Sequence, residues 1–349
     1  MLNVNLPKVI FGTSGLGNLY VAQPDEVKLS IVSACIKHSG KPAVFDSAGK
    51  YGAGLALETL GSCLGQLNVN PADVLISNKL GWLRTELKTV EPTFEPGVWK
   101  DLKFDAVQKI SYNGILECYA QGNELLNGYD AQLVSVHDPD EYLAAAATNA
   151  EKEQRYLDIL DAYRALAELK KDCKVKSIGV GAKDWRIIER ITRDVKLDWV
   201  MIANSMTVHS HPRELVAFMQ KLEKEGVPII NSAVFNAGFL TGSDYYNYQL
   251  VSRKTHPDLY KWRDSFYAIC SKHNLKPAEV CTSFGLSAPG VKSIALNTTN
   301  PLRVVDNIAL ANIKIPTGFW EDMKAQNLID NQYHFLKNHI RNEKILFGA

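Results

Sequence analysis

Four side chains of this sequence could together move a proton. Asp46 and Tyr51 lie five residues apart in Val44-Phe45-Asp46-Ser47-Ala48-Gly49-Lys50-Tyr51-Gly52, where a short apolar run delivers a carboxylate and a phenol into one loop. Lys79 closes Val74-Leu-Ile-Ser-Asn-Lys79, and His137 closes Leu133-Val-Ser-Val-His137. A free tyrosine, with a pKa of about 10, is a poor acid or base at neutral pH. A lysine cation about 4 Å away, at an effective dielectric of about 20, would stabilise the phenolate by roughly 4 kcal/mol, or about three pKa units. Asp46 is then expected to hold and orient the Lys79 ammonium, and His137 to hydrogen-bond the reacting oxygen. Each residue also has a plain structural reading: an ion pair for Asp46 and Lys79, a satisfied core histidine for His137, a packing ring for Tyr51.

The elements that must position them are short apolar runs bounded by turn residues. Strands are expected at Val9–Phe11, Ala43–Phe45, Val74–Ser77, Leu133–Val136, Ser177–Val180, Trp199–Ala203, Pro228–Asn231 and Val291–Ala295. Continuous apolar strands without alternation imply burial on both faces, as in a parallel sheet. Helical spacing fills the intervals, at Asp25–His38, Gln154–Lys171 and Pro212–Glu225. Eight strands alternating with helices predict a (β/α)8 TIM barrel with long loops on its C-terminal face. In such a barrel, catalytic groups gather at the C-terminal ends of the strands, and neighbouring strands lie about 4.8 Å apart. A doubly wound Rossmann sheet is the competitor. Its fingerprint fails here, because Gly12-Thr-Ser-Gly-Leu-Gly17 runs into Asn18-Leu19-Tyr20 rather than a helix. Leu83–Asp105 and Phe239–Trp262 read as long loops, and the segment beyond Pro316 as a partly helical tail. The expectation is one domain over residues 1–349, with the barrel at about 8–312 and the tail at 313–349.

Composition narrows the function classes. The chain is 46% hydrophobic and 22% charged with a net charge of +1, which argues against a nucleic-acid or polybasic membrane surface. The eight histidines show no metal-ligand spacing, and the six cysteines form no Cys-x-x-Cys pair, so no metal is expected. Met1–Lys8 lacks the pattern of a signal peptide and no run reaches a membrane span, so the chain reads as cytoplasmic. Partners are expected to be a small molecule and, at most, a second copy in a homodimer.

The order and spacing of Asp46, Tyr51, Lys79 and His137 resemble the catalytic tetrad of the aldo-keto reductases. Leu16-Gly-Asn-Leu-Tyr20, Val136-His-Asp-Pro-Asp140, Ser177-Ile-Gly-Val-Gly181 and Ala233-Val-Phe-Asn-Ala-Gly-Phe-Leu240 are similar to the D-threo-aldose 1-dehydrogenase (L-fucose dehydrogenase) branch. The resemblance implies NAD or NADP bound across the barrel mouth, with hydride passing at the nicotinamide and Tyr51 handling the proton. It implies cofactor contacts from Gly17, Asn18, Leu19, Asp46, Asn204, Phe235, Asn236, Gly238, Leu240, Asn297, Thr298, Arg303 and Asn307. Asn297 stands where NADP-preferring members often carry lysine, which leans toward NAD, although Arg303 could serve a phosphate. Gly181-Ala182-Lys183, Met201 and Ser232 depart from the family's usual nicotinamide contacts.

Tyr20, Tyr51, Trp82, His137 and Asp138 are expected to meet substrate, with Trp185 and His209 as further candidates. Aromatic faces beside polar groups suit a sugar ring. The leading expectation is oxidation of an aldose such as L-fucose at C1 to its lactone. The alternatives are reduction of an aldehyde or ketone, Schiff-base chemistry on Lys79, and a non-catalytic nicotinamide-binding subunit.

Overall fold

The computed structural model describes residues 6–336, so Met1–Asn5 of the N-terminal expectation and residues 337–349 of the expected tail lie outside the described residues. Along the chain the strands are β1 (Val9–Gly12), β2 (Ala43–Ala48), β3 (Val74–Leu80), β4 (Trp82–Glu86), β5 (Phe104–Gln108) and β6 (Leu133–His137). They continue as β7 (Ser177–Ala182), β8 (Trp199–Ala203), β9 (Ile229–Ser232), β10 (Tyr245–Tyr246), β11 (Gln249–Leu250) and β12 (Val291–Leu296). Eight of these close into a barrel in the order β1-β12-β9-β8-β7-β6-β3-β2, with every neighbouring pair parallel. The expected (β/α)8 architecture is therefore the one the chain adopts.

The helices are α1 (Asp25–His38), α2 (Leu55–Gln66), α3 (Tyr112–Leu125), α4 (Pro139–Ala144), α5 (Asn149–Lys171) and α6 (Trp185–Asp194). After them come α7 (Arg213–Lys224), α8 (Pro257–Lys272), α9 (Pro277–Ser287), α10 (Arg303–Leu310) and α11 (Thr317–Ala325). Their starts follow local chemistry. The side chains of Ser111, Thr148 and Asp184 accept backbone N–H bonds at the N-termini of α3, α5 and α6. In α7, Leu215, Phe218, Met219 and Leu222 fall at helical spacing and are buried against the barrel.

Side chains alternate inward and outward along each strand, and the inward set is layered. Ile10, Val44, Leu75, Leu133, Trp199, Met201 and Ile230 form an apolar cluster of their own. Two residues further along the same strands come Asp46, Ser77 and Ser135, and after these Lys79 and His137. The barrel is thus dry at one end and polar at the other.

The strands run further than the apolar runs suggested. Asp46 lies two residues inside the end of β2, paired with Ser77, and Lys79 is the penultimate residue of β3. Inside the barrel these polar groups find partners in one another, so polarity does not end the strand. The expected loop Leu83–Asp105 also needs correction. Its ends form the antiparallel pair β4–β5, Trp82 facing Gln108 and Glu86 facing Phe104, with the proline-rich turn between. Likewise Phe239–Trp262 holds the two-residue hairpin β10–β11, and α8 begins within it at Pro257.

Candidate active site

The Asp46 carboxylate is 3% exposed and fully engaged. It accepts from Lys79 Nζ at 2.5 Å through one oxygen and from Ser77 Oγ at 3.1 Å through the other. Lys79 also donates to the Ser47 carbonyl at 3.1 Å. The ammonium sits 4.7 Å from the centre of the Tyr51 ring, and the His137 ring meets that ring edge-on at 5.6 Å. Trp99 packs on Tyr51 at 5.8 Å. The structure therefore brings Asp46, Tyr51, Lys79 and His137 together at the polar end of the barrel. Backbone packing fixes the loop that carries Tyr51. Gly52 has φ +61, and a Cβ there would meet the Gly17 carbonyl at 2.3 Å; a Cβ on Gly17 would meet the Tyr51 carbonyl at 2.8 Å.

The electrostatics correct one expectation. Tyr51 was expected to be acidified by Lys79, yet its phenol is pushed well above its ordinary range, by burial first and then by Asp46. The Lys79 charge is already matched by Asp46, and the cation on the lowering side is Lys50. Burial, with Lys79 and Lys50 nearby, drives the His137 pKa well below that of a free imidazole, so this ring is neutral near pH 7. Its Nδ1 has no partner among the described residues, and its Nε2 lies 3.6 Å from Asp138.

Around this centre stand Asp138, Trp82 and Tyr20, three of the residues expected to meet substrate. Asp138 follows β6 directly, in the left-handed region at φ +44. Trp82 follows β3, with its indole N–H buried and unpartnered and with the Lys50 ammonium 5.5 Å from its ring. Tyr20 stacks on Tyr245 of the β10–β11 hairpin at 4.7 Å, and burial raises its phenol to about 12. Trp185 is not at the mouth: it is buried in α6 and stacks on Phe218 of α7. His209 instead lines a separate cleft of about 480 Å³ with His211, Arg213, Trp262 and Asp330.

Besides Asp46, the expected cofactor residues fall into three groups. Asn204 after β8 and Asn236 after β9 are buried, and the amide oxygen of each lacks a partner. Asn236 Nδ2 bonds the Asn204 carbonyl at 3.3 Å, which ties the two turns together. Phe235, Asn236, Gly238 and Leu240 share this tight turn, with positive φ at Asn236 and Gly238. Arg303 opens α10, exposed, with Asn307 one turn later, and Thr298 lies in the loop before it. Asn297 donates to Ser14 Oγ at 2.9 Å, joining this loop to the one after β1. Asn18 is different. Both ends of its amide are used by its own loops, donating to the Lys100 carbonyl and accepting from Gln23 N–H. Gly17 and Leu19 belong to the same structural turn, Leu19 bridging to Trp99.

A ring of charge around Lys50 was not foreseen. Lys50, 3% exposed, reaches Glu95 at 2.7 Å, Glu141 at 2.8 Å and Asp138 at 3.4 Å. Burial pulls its pKa down, and Asp138, Glu95 and Glu141 outweigh burial and leave it above the ordinary value. Lys183 pairs with Glu141 and lies 3.6 Å from Asp138, with its ammonium 5.3 Å from the Tyr248 ring at the tip of the β10–β11 hairpin. Lys50 stood in plain view beside Tyr51. The signal that marks it, three carboxylates converging from two remote segments, exists only in three dimensions.

The sequence pattern of the Aldo/keto reductase family matches residues 8–327. The chain belongs to that family. It is accordingly an NAD(P)-dependent oxidoreductase acting on a small molecule. It is similar to a pyridoxal 4-dehydrogenase from Microbacterium luteolum, 24% identical over 91% of this chain and 93% of the relative. It is equally similar, at 24% over 93% and 95%, to a D-threo-aldose 1-dehydrogenase from a Pseudomonas species. In fold it resembles a glycerol dehydrogenase from Gluconobacter oxydans, with a TM-score of 0.66 and 16% identity over 95% of this chain and 96% of that one. An aldo-keto reductase from Bacillus halodurans in its holo form follows, at 0.64 and 16% over 93% and 94%. Among the described residues no helix is long and apolar enough to cross a membrane, and no cluster suited to a metal ion occurs.

Proposed function

We propose that the barrel mouth oxidises an aldose at C1 to its lactone, with L-fucose as the representative substrate and Tyr51 exchanging the proton. The observation that carries this reading is the convergence of Tyr51, Lys79, Asp46 and His137 beside a polar, aromatic rim. The D-threo-aldose 1-dehydrogenase among the relatives supports the choice of an aldose.

The residues fit a nicotinamide cofactor. The orphaned amide oxygens of Asn204 and Asn236 offer acceptors suited to a carboxamide N–H, and Arg303 with Asn307 at the start of α10 suits the adenosine half. When bound, the nicotinamide supplies or accepts the hydride. Asn297 in place of a cation favours NAD over NADP.

The chain's own groups handle the proton. During oxidation the Tyr51 phenolate takes the proton of the substrate hydroxyl, and during reduction the Tyr51 hydroxyl gives that proton to the oxygen of the carbonyl being reduced. Neutral His137 hydrogen-bonds the same oxygen and fixes its direction. Lys79, anchored by Asp46, lies over the Tyr51 ring and offsets negative charge as it develops there.

Reduction of an aldehyde or ketone is the second reading, and one observation favours it: burial and Asp46 keep the Tyr51 proton on, which suits a general acid. Absorbance at 340 nm separates the two readings, with both cofactors against L-fucose, D-arabinose, L-galactose and simple aldehydes. Tyr51→Phe should cost about 10²- to 10⁴-fold in turnover while cofactor binding persists. Sugars left untouched while aldehydes are reduced would remove the aldose reading.

A further inference from the structure

The carboxylate ring at the mouth is over-supplied with acceptors. Lys50 has three N–H groups, and each already faces a carboxylate, of Glu95, Asp138 and Glu141. Lys183 is shared between Glu141 and Asp138. Two ammonium groups thus stand among three carboxylates, a net charge of −1, and the deep cation has no donor left for an incoming anion. Asp138 is the least satisfied member. It is 7% exposed, yet its nearest partners are Lys50 at 3.4 Å, Lys183 at 3.6 Å and His137 Nε2 at 3.6 Å. Charge-assisted hydrogen bonds are normally about 2.7–2.9 Å long, and a buried carboxylate without one is costly to maintain.

We infer that Lys50 and Lys183 hold Asp138 as a hydroxyl-accepting clamp, which selects neutral polyhydroxylated substrates over anionic and apolar carbonyl compounds. The inference rests on the proposed function and deepens it by naming the residues that select the substrate. Asp138 follows His137 directly, so a hydroxyl bound to its carboxylate lies beside the carbon whose oxygen His137 orients. Substrate O–H groups supply the short bonds that Asp138 lacks. An anionic carbonyl compound meets net negative charge, and an apolar one leaves Asp138 unsatisfied. Lys50 and Lys183 act through Asp138, as positioning residues.

Two measurements test this. The first is the ratio of kcat/KM for glyceraldehyde to that for propionaldehyde, with succinic semialdehyde as the anionic probe. The wild type should favour glyceraldehyde and discriminate against succinic semialdehyde. Asp138→Asn should lower the glyceraldehyde-to-propionaldehyde ratio about 10- to 100-fold, chiefly through KM. Lys183→Met, at the outer rim, should lower it in the same direction and serves if Asp138→Asn fails to fold. An unchanged ratio in a folded variant overturns the clamp and leaves the proposed function standing. The second is saturation-transfer NMR with arabinitol, a polyol with no carbonyl, against 1,5-pentanediol. Arabinitol binding that is lost in Asp138→Asn supports the clamp even if no turnover is found, in which case the proposed function alone falls. Equal signals from the two alcohols overturn the clamp.

Discussion

Lys79 and Asp46 cannot be judged separately, because each is the other's shortest contact and both are buried at the polar end of the barrel. Replacing Lys79 with methionine leaves the Asp46 carboxylate buried with Ser77 as its only side-chain partner among the described residues, at a cost of about 3–5 kcal/mol in stability. Adding Asp46→Asn should restore much of that stability and none of the activity. Urea unfolding and turnover measured side by side on the single and double variants check both halves. If the double variant regained activity, the pair would be structural only. The pH behaviour follows from Tyr51, whose folded pKa lies above the ordinary value of about 10. As a general acid it is protonated throughout the neutral range, so kcat/KM for reduction should be flat there and fall only above about pH 10. As a base it must first lose that proton, so oxidation should rise steadily with pH up to the same region. Profiles in both directions with one substrate pair decide this, and oxidation flat from about pH 6 to pH 9 would count against Tyr51 as the base.

At the scale of elements, β7 and β8 show how the barrel floor is built. A Cβ on Gly179 would lie 2.3 Å from the Trp199 ring, so the indole fills the space that a side chain on β7 would take. Trp199 Nε1 completes the fit by donating to Ser177 Oγ at 3.2 Å. Gly179→Ala should therefore destabilise by about 1–3 kcal/mol, and Trp199→Leu in the same chain should recover part of that loss. Chemical denaturation of the two singles and the double tests the coupling; additive effects would mean that ring and backbone do not compete. This element level is also where the sequence was most and least readable. The barrel strands announced themselves as apolar runs because both of their faces are buried, and Asp46, Lys79 and His137 could be placed because they follow those runs, at the strand ends that a barrel gathers at one mouth. β4 and β5 were hidden by the opposite condition. Trp-Leu-Arg-Thr-Glu and Phe-Asp-Ala-Val-Gln are half-exposed and polar, and the prolines between them suggested a loop. Lys50 was invisible for another reason: Glu95 and Glu141 reach it from segments far along the chain, and no local spacing records that meeting.

Across the whole molecule, three buried or half-buried histidines tie stability to pH. His211 joins the segment after β8 to the segment after α11: Nδ1 faces the Thr207 carbonyl at 3.2 Å, and Nε2 accepts the Asp330 N–H at 3.0 Å. That pattern needs a neutral ring with its proton on Nδ1, and burial holds the His211 pKa down accordingly. His209 sits between Tyr246, whose hydroxyl is 3.0 Å from Nδ1, and the Trp262 ring at 4.7 Å; burial, aided by His211, lowers its pKa to about 4. His137 is shifted in the same direction at the mouth. A base whose folded pKa is depressed is neutral when folded and takes a proton when unfolded. Its contribution is complete above the unfolded pKa of about 6.5 and is lost as pH falls from there toward the folded value. For His209 the loss between pH 7 and pH 5 comes to about 2 kcal/mol, with His137 and His211 adding in the same sense. Urea unfolding at pH 7, 6 and 5 should give a steepening decline, and His209→Phe should flatten part of it while leaving stability at pH 7 within about 1 kcal/mol. A decline equally steep in that variant would move the acid sensitivity from the hairpin–α8 contact to the mouth and the Asp330 junction.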